Sequence, residues 1–115
     1  MGDMTEHFNR AEFNCHCCGL NLTKPKLVLI LQAIRDHFER PVVVISGTRC
    51  AKHNRAVKGA RNSQHMLGTA ADISIAGIAP KEVAKFAKTL MPGWGGIKPY
   101  ASFTHIDIRV NPWRG

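Results

Sequence analysis

The sequence predicts one compact domain that mixes helices with short strands, and three observations carry that prediction. Apolar residues recur at helical spacing over two stretches, Leu27 to Phe38 and Val83 to Leu90. Short β-branched or alternating runs, "PVVVIS", "AADISIA" and "FTHIDIRV", lie between and after them. A chain of 115 residues, 44% of them hydrophobic, is long enough for a single core and too short for two. The domain therefore runs over residues 1–115, with an irregular N-terminal arm, residues 1–20, packed on it.

In chain order, Thr23 is placed to cap the first helix, whose first turn accepts Pro25 because the N–H that proline lacks has no partner there anyway. Leu27, Ile30, Leu31, Ile34 and Phe38 make its buried stripe. Pro41 ends it, and residues 41–46 read as a buried strand bounded by Pro41 and Gly47. "CAKHNRAVKG" reads as one or two helical turns closed by Gly59, and residues 60–68 as a structured loop. In "AADISIA", Ala71, Ile73 and Ile75 share one face, so Asp72 points away from the isoleucines. Pro80 opens a second helix with Val83, Phe86, Ala87 and Leu90 on its buried face, and "PGWGG" breaks it. The chain closes as a hairpin: a strand near Ile97, a turn over residues 99–102 and a strand over residues 103–110. On the last strand Phe103, His105, Asp107 and Arg109 share one face.

The longest apolar runs fall far below the roughly 20 residues that span a bilayer, so no membrane insertion is expected. "MGDMTEHFNR" lacks the apolar core of a secretory signal, which predicts a chain cytoplasmic as synthesised. The net charge of +8 attracts polyanions of any kind. With 7% aromatic residues and no basic-aromatic alternation, the stacking platforms of single-strand binding are missing, and no specific nucleic-acid partner is expected. Cysteines occur as "CHCC", Cys15, Cys17 and Cys18, and again at Cys50. A structural zinc with His16 added is conceivable, but paired C-x-x-C knuckles are lacking. The favoured reading makes two of them small core residues, or partners for Cys50 after oxidation.

The chemistry concentrates in "NSQHMLGTAADI" and "FTHIDIR". His65, Asp72 and His105 sit on three elements that Gly68, Ala70 and Ala71 let approach one another. Two imidazoles and a carboxylate suit zinc, and three protein ligands with one position free is the arrangement of a catalytic site. Such a site polarises a carbonyl and supplies an activated water, which is the chemistry of amide hydrolysis. Asp107 is the nearest candidate for a general base. It has two alternatives: orienting His105 through a hydrogen bond, or pairing with Arg109. Arg49, leaving the "VVVISGTR" strand, has the planar fork that suits a substrate carboxylate or an oxyanion. His7, His16, His37 and His53 read as surface or capping groups, and Trp94 and Tyr100 as core or hairpin packing, or else as cleft walls.

"SGTRC", "NSQHMLGTAADI" and "FTHIDIR" closely resemble the zinc D-alanyl-D-alanine carboxypeptidase family, within it the short phage and bacterial branch with the hedgehog/D,D-peptidase fold. The likeness runs from "EFNCHCCG" to "HIDIR", and its H-x-x-G-x-A-x-D pattern followed by a strand H-x-D is specific. The resemblance implies an α+β domain with an antiparallel sheet and one zinc ion per chain. It implies ligands His65, Asp72 and His105, a substrate contact from Arg49, and a site shaped by Ser63 and Gln64; Tyr100, where the chain departs from the family, is a further candidate for substrate contact. The activity it implies is hydrolysis of amide bonds in peptidoglycan stem or cross-link peptides, as a D,D-carboxypeptidase or an endopeptidase of the endolysin kind. Relatives carry an acidic residue three positions before the last histidine, where this chain has Ser102. The alternative is a non-catalytic zinc protein of the same fold that recognises cell wall, or a phage structural component.

Overall fold

The computed structural model describes residues 2–60 and 63–115. Four strands form one antiparallel sheet in the order β1-β2-β4-β3, where β1 is Val43–Ser46, β2 Ala70–Ser74, β3 Gly96–Pro99 and β4 Thr104–Asp107. Two longer helices, α1 (Pro25–Phe38) and α3 (Pro80–Leu90), and a short α2 (Ala51–Ala56) complete the domain, so the fold is α+β. Two 3₁₀ turns, Arg10–Phe13 and Gln64–Leu67, lie in the N-terminal arm and before β2.

The two faces of the sheet separate packing from chemistry. Ala71, Ile73 and Ile75 join Ile97 and Ile106 against Leu27, Leu31 and Ile34 of α1 and Val83, Ala84 and Ala87 of α3. Every one of these side chains is buried, and their removal from water is the main favourable term in the fold. Thr104 Oγ1 donates to Pro80 O over 3.0 Å and fixes the start of α3 against β4. The N-terminal arm is part of this packing, because Phe8 and Phe13 are buried in the same core.

Several boundaries depart from the sequence expectation for physical reasons. Lys24, not Thr23, occupies the N-cap of α1, and its N–H is bound by Gly68 O at 2.9 Å. No side chain among the described residues caps the helix, and this contact anchors its start to the turn before β2. The run 41–46 is not a buried strand: β1 is an edge strand with Val43 56% exposed and only Val42 sunk into the core. β4 stops at Asp107, and Val110 is 85% exposed. The expected loop over residues 60–68 contains the Gln64–Leu67 turn, while its Arg61 and Asn62 fall outside the described residues. α2 ends as expected, with Lys58 at φ 56° and Gly59 N donating to Asn54 O over 2.8 Å.

Candidate metal centre

The polar face of the sheet is built by register. Asp72 and His105 are direct partners across β2 and β4, so their side chains rise from the same face at neighbouring positions. His65 arrives from the 3₁₀ turn, whose N-cap Ser63 accepts the His65 N–H through Oγ at 3.2 Å. The turn is closed by Gly68 at φ 72°. Any Cβ there would collide with the Leu22 carbonyl, so the position demands glycine on both counts.

Ligand atoms of His65, Asp72 and His105 lie within 4.8 Å of one another, and all three residues are buried. Their hydrogen bonds determine which atoms face inward. His65 Nδ1 is 2.8 Å from Gly47 O, which can only accept; the ring proton therefore sits on Nδ1 and the Nε2 lone pair points inward. Nε2 lies 3.2 Å from Asp72 Oδ1 but is not aligned for a hydrogen bond with it, leaving a buried nitrogen without a partner among the described residues. His105 repeats the pattern. Its Nε2 meets Asp107 Oδ2 at 2.8 Å and its Nδ1 meets Asp72 Oδ1 at 3.1 Å. With the proton on the Asp107 side, a second imidazole lone pair turns to the same carboxylate oxygen. Two lone pairs and a carboxylate oxygen converging in a buried space repel one another until a cation sits among them. The residues present therefore fit a divalent metal ion with nitrogen and oxygen ligands.

The surrounding groups hold these ligands in place. Arg49 Nη2 donates to Asp72 Oδ2 at 3.2 Å, which leaves Oδ1 for the centre. Its Nη1 and Nε go to Asn54 Oδ1 and Ser46 Oγ. Asp107 is fully buried and accepts from Gly96 N at 2.9 Å and from Arg109 N, Nε and Nη2 at 2.7–3.1 Å, besides His105. Burial pushes both carboxyls up, but the imidazoles of His105 and His65 outweigh it at Asp72, and His105 followed by Arg109 outweighs it at Asp107. Both are held well below the usual carboxylate range. Burial lowers His105, yet its bonds to Asp107 and Asp72 prevail and raise it.

The centre lies at the wall of a cleft of about 470 Å³. Of the residues singled out in the sequence, Arg49, Ser63, Gln64, His65, Asp72, Tyr100 and His105 line it. Asp107 does not; it sits behind His105, and its carboxylate has the two contacts that the sequence left as alternatives to a base, His105 and Arg109. Arg49 reaches the cleft, but its fork is engaged by Asp72 instead of standing free for a substrate. Ser102 is exposed in the β3–β4 turn and Trp94 sits under Lys26 Nζ, both away from the cleft. Lys58 and Trp113 line the cleft without having been singled out in the sequence, and Arg109, expected only as a partner for Asp107, lines it as well. Trp113 packs edge-on to His105 with centroids 5.5 Å apart, and the Arg109 guanidinium lies 4.8 Å from its ring. Lys58 carried a signal, since it precedes Gly59 at the end of α2; Trp113 lies beyond the last strand and carried none.

Two histidines and an aspartate placed to hold a metal ion beside an open cleft make a candidate hydrolytic centre. The chain belongs to the peptidase M15 family, whose model matches residues 6–107. Among curated proteins it is similar to the probable peptidoglycan L,D-endopeptidase MepK of Haemophilus influenzae, 38% identical over 80 residues that cover 64% of this chain and 43% of that protein. It is also similar to peptidoglycan L,D-endopeptidase MepK of Escherichia coli, 36% identical over 73 residues covering 59% of this chain and 40% of the relative. The chain thus spans about two-fifths of the length of the curated relatives it matches.

Proposed function

We propose that this chain is a zinc-dependent peptidase that hydrolyses amide bonds in peptidoglycan peptides. The observation that carries the proposal is the convergence of His65 Nε2, Asp72 Oδ1 and His105 Nδ1 at the edge of a cleft able to take a peptide. Family membership and the names of the relatives support the choice of substrate.

Zinc bound there would supply a Lewis acid for the scissile carbonyl and a water acidic enough to react near neutral pH. The remaining work falls to the chain. The Gly47 carbonyl and Asp107 set the tautomers of His65 and His105, and Arg49 presents Asp72 through a single oxygen. Asp107 is a positioning residue: its oxygens are saturated by donors and sealed from the cleft, which leaves no path for taking a proton from substrate or water. Lys58 and the outer edge of Arg109 place positive charge on the cleft wall, suited to a peptide carboxylate or to the negative oxygen that develops during hydrolysis. Tyr100 stacked on Phe103 at 4.7 Å, with Trp113, offers apolar surface to the substrate's side chains.

The test is release of free amino groups from purified peptidoglycan. Zinc-loaded protein should release them, chelation should abolish release, added zinc should restore it, and Asp72→Ala should be inactive under all three conditions. Zinc uptake at the centre with no amino groups released would support instead a cell-wall-binding protein without turnover.

A further inference from the structure

A second group of metal-ligating side chains lies away from the cleft, where the N-terminal arm meets the segment after β1. The Sγ atoms of Cys15, Cys18 and Cys50 are within 4.8 Å of one another. Cys17 belongs to the same turn as Cys15 and Cys18 but is not one of this close group, so three of the four cysteines of the chain gather at one point. All four are free thiols. We propose that Cys15, Cys18 and Cys50 hold a structural zinc ion, with Cys17 turning in from the same loop as its fourth ligand, independent of the His65, Asp72 and His105 centre.

The backbone prepares these sulfurs as ligands. Residues 15–20 form a tight turn in which Gly19 N donates to Cys15 O and Cys15 N to Leu20 O, each at 2.8 Å, with Gly19 at φ 77°. One turn therefore presents three thiols, and Cys15 and Cys18 have the C-x-x-C spacing that lets two sulfurs meet one ion. Cys50 N donates to Cys15 Sγ at 3.4 Å and His53 N to Cys50 Sγ at 3.3 Å, so backbone N–H groups already point at sulfur, as they do toward thiolates. Four thiolates around zinc sit about 2.3 Å from the metal, which puts neighbouring sulfurs roughly 3.8 Å apart. The sulfurs of Cys15, Cys18 and Cys50 need only a small contraction to reach that, and the exposed Cys17 side chain supplies the fourth by turning toward them. Binding releases four thiol protons and leaves a doubly negative cluster, and Lys52 brings positive charge beside Cys17.

Packing alone does not explain the grouping. Cys15 is buried, but Cys17 and Cys18 are exposed, where neither serves a core. The sequence shows only one C-x-x-C pair, Cys15 and Cys18, which is why core packing or an oxidised bridge is the favoured expectation there; Cys50 joins that pair from a distant segment. The site would tie the arm to the residue that directly follows Arg49, whose own N–H is held by His65 O at 3.0 Å. It would thereby brace the support of the first metal centre without touching substrate.

Metal content measured on protein purified under reducing conditions and loaded with zinc tests this. The wild-type chain should hold two zinc ions, and a His65→Ala/His105→Ala variant should keep one. Loaded with cobalt, that variant should show the near-ultraviolet charge-transfer absorption of thiolate ligands. Cys17→Ser/Cys18→Ser, which changes only exposed positions, should lose the thiolate signal and the second ion while retaining the ion bound by histidine. Thiol-reactive reagent should modify the four cysteines at least tenfold faster after chelation. One ion in the wild type and none in the histidine variant would overturn the proposal, as would an intact disulfide among these cysteines in the reduced, zinc-loaded protein.

Discussion

Asp107 is the one carboxylate near the centre for which the sequence leaves three roles open. Its oxygens hold His105, Arg109 and the Gly96 N–H at once. A carboxylate behind a ligating imidazole fixes the ring and strengthens it as a ligand, and its loss typically lowers metal affinity about 10–100-fold. Asp107→Asn should therefore weaken zinc binding by that factor in a competition titration. A variant with unchanged zinc affinity but abolished turnover would mark Asp107 as the proton acceptor instead. The same substitution has a pH signature in the metal-free protein. Asp107 is depressed in the fold, so its stabilising effect is present above about pH 4 and is lost as pH falls through its lowered folded value. His105 is raised, so its share is present below about pH 6.5 and is lost as pH rises through its elevated value. Urea unfolding across pH should show the largest gap between wild type and Asp107→Asn between those limits, shrinking on both sides.

Among the elements, β2 and β4 do most to assemble the centre, and their contribution was largely readable in advance. Strict alternation in "AADISIA" and "FTHIDIR" puts Asp72, His105 and Asp107 on faces opposite the isoleucines, and antiparallel pairing then sets Asp72 against His105. What could not be read was order across the sheet. The run "PVVVIS" is as apolar as any central strand, and only the topology makes it an edge. Arg49's attachment to Asp72 and Trp113's place beside His105 likewise depend on which segments return to the site, information that no local pattern holds. Gly96 shows how tightly β3 is built around β4: it pairs with Asp107, and a Cβ there would strike the Asp107 carboxylate. Gly96→Ala should displace Asp107 and lower zinc affinity as Asp107→Asn does, although the substitution lies on a different strand and touches no ligand. Zinc affinity equal to wild type in a folded Gly96→Ala protein would contradict that coupling.

Considered as a whole molecule, the domain keeps its core on one side of a single sheet and its chemistry on the other, so the centre sits on a rigid floor with the cleft open above it. The net charge of +8 adds attraction toward an anionic wall polymer that does not depend on the site. Hydrolysis of intact peptidoglycan should thus fall more steeply with ionic strength than hydrolysis of a short, uncharged soluble peptide, as turnover measured from low salt to about 0.5 M would show. The central claim is that the His65, Asp72 and His105 centre hydrolyses peptidoglycan peptides. It is tested most directly by mass spectrometry of purified peptidoglycan after incubation with zinc-loaded wild type and with His65→Ala. The wild type should yield fragments that have gained one water at a single kind of peptide bond, and the variant none. Zinc-loaded wild type that leaves every peptide intact, or a His65→Ala protein that cleaves equally well, would contradict the account.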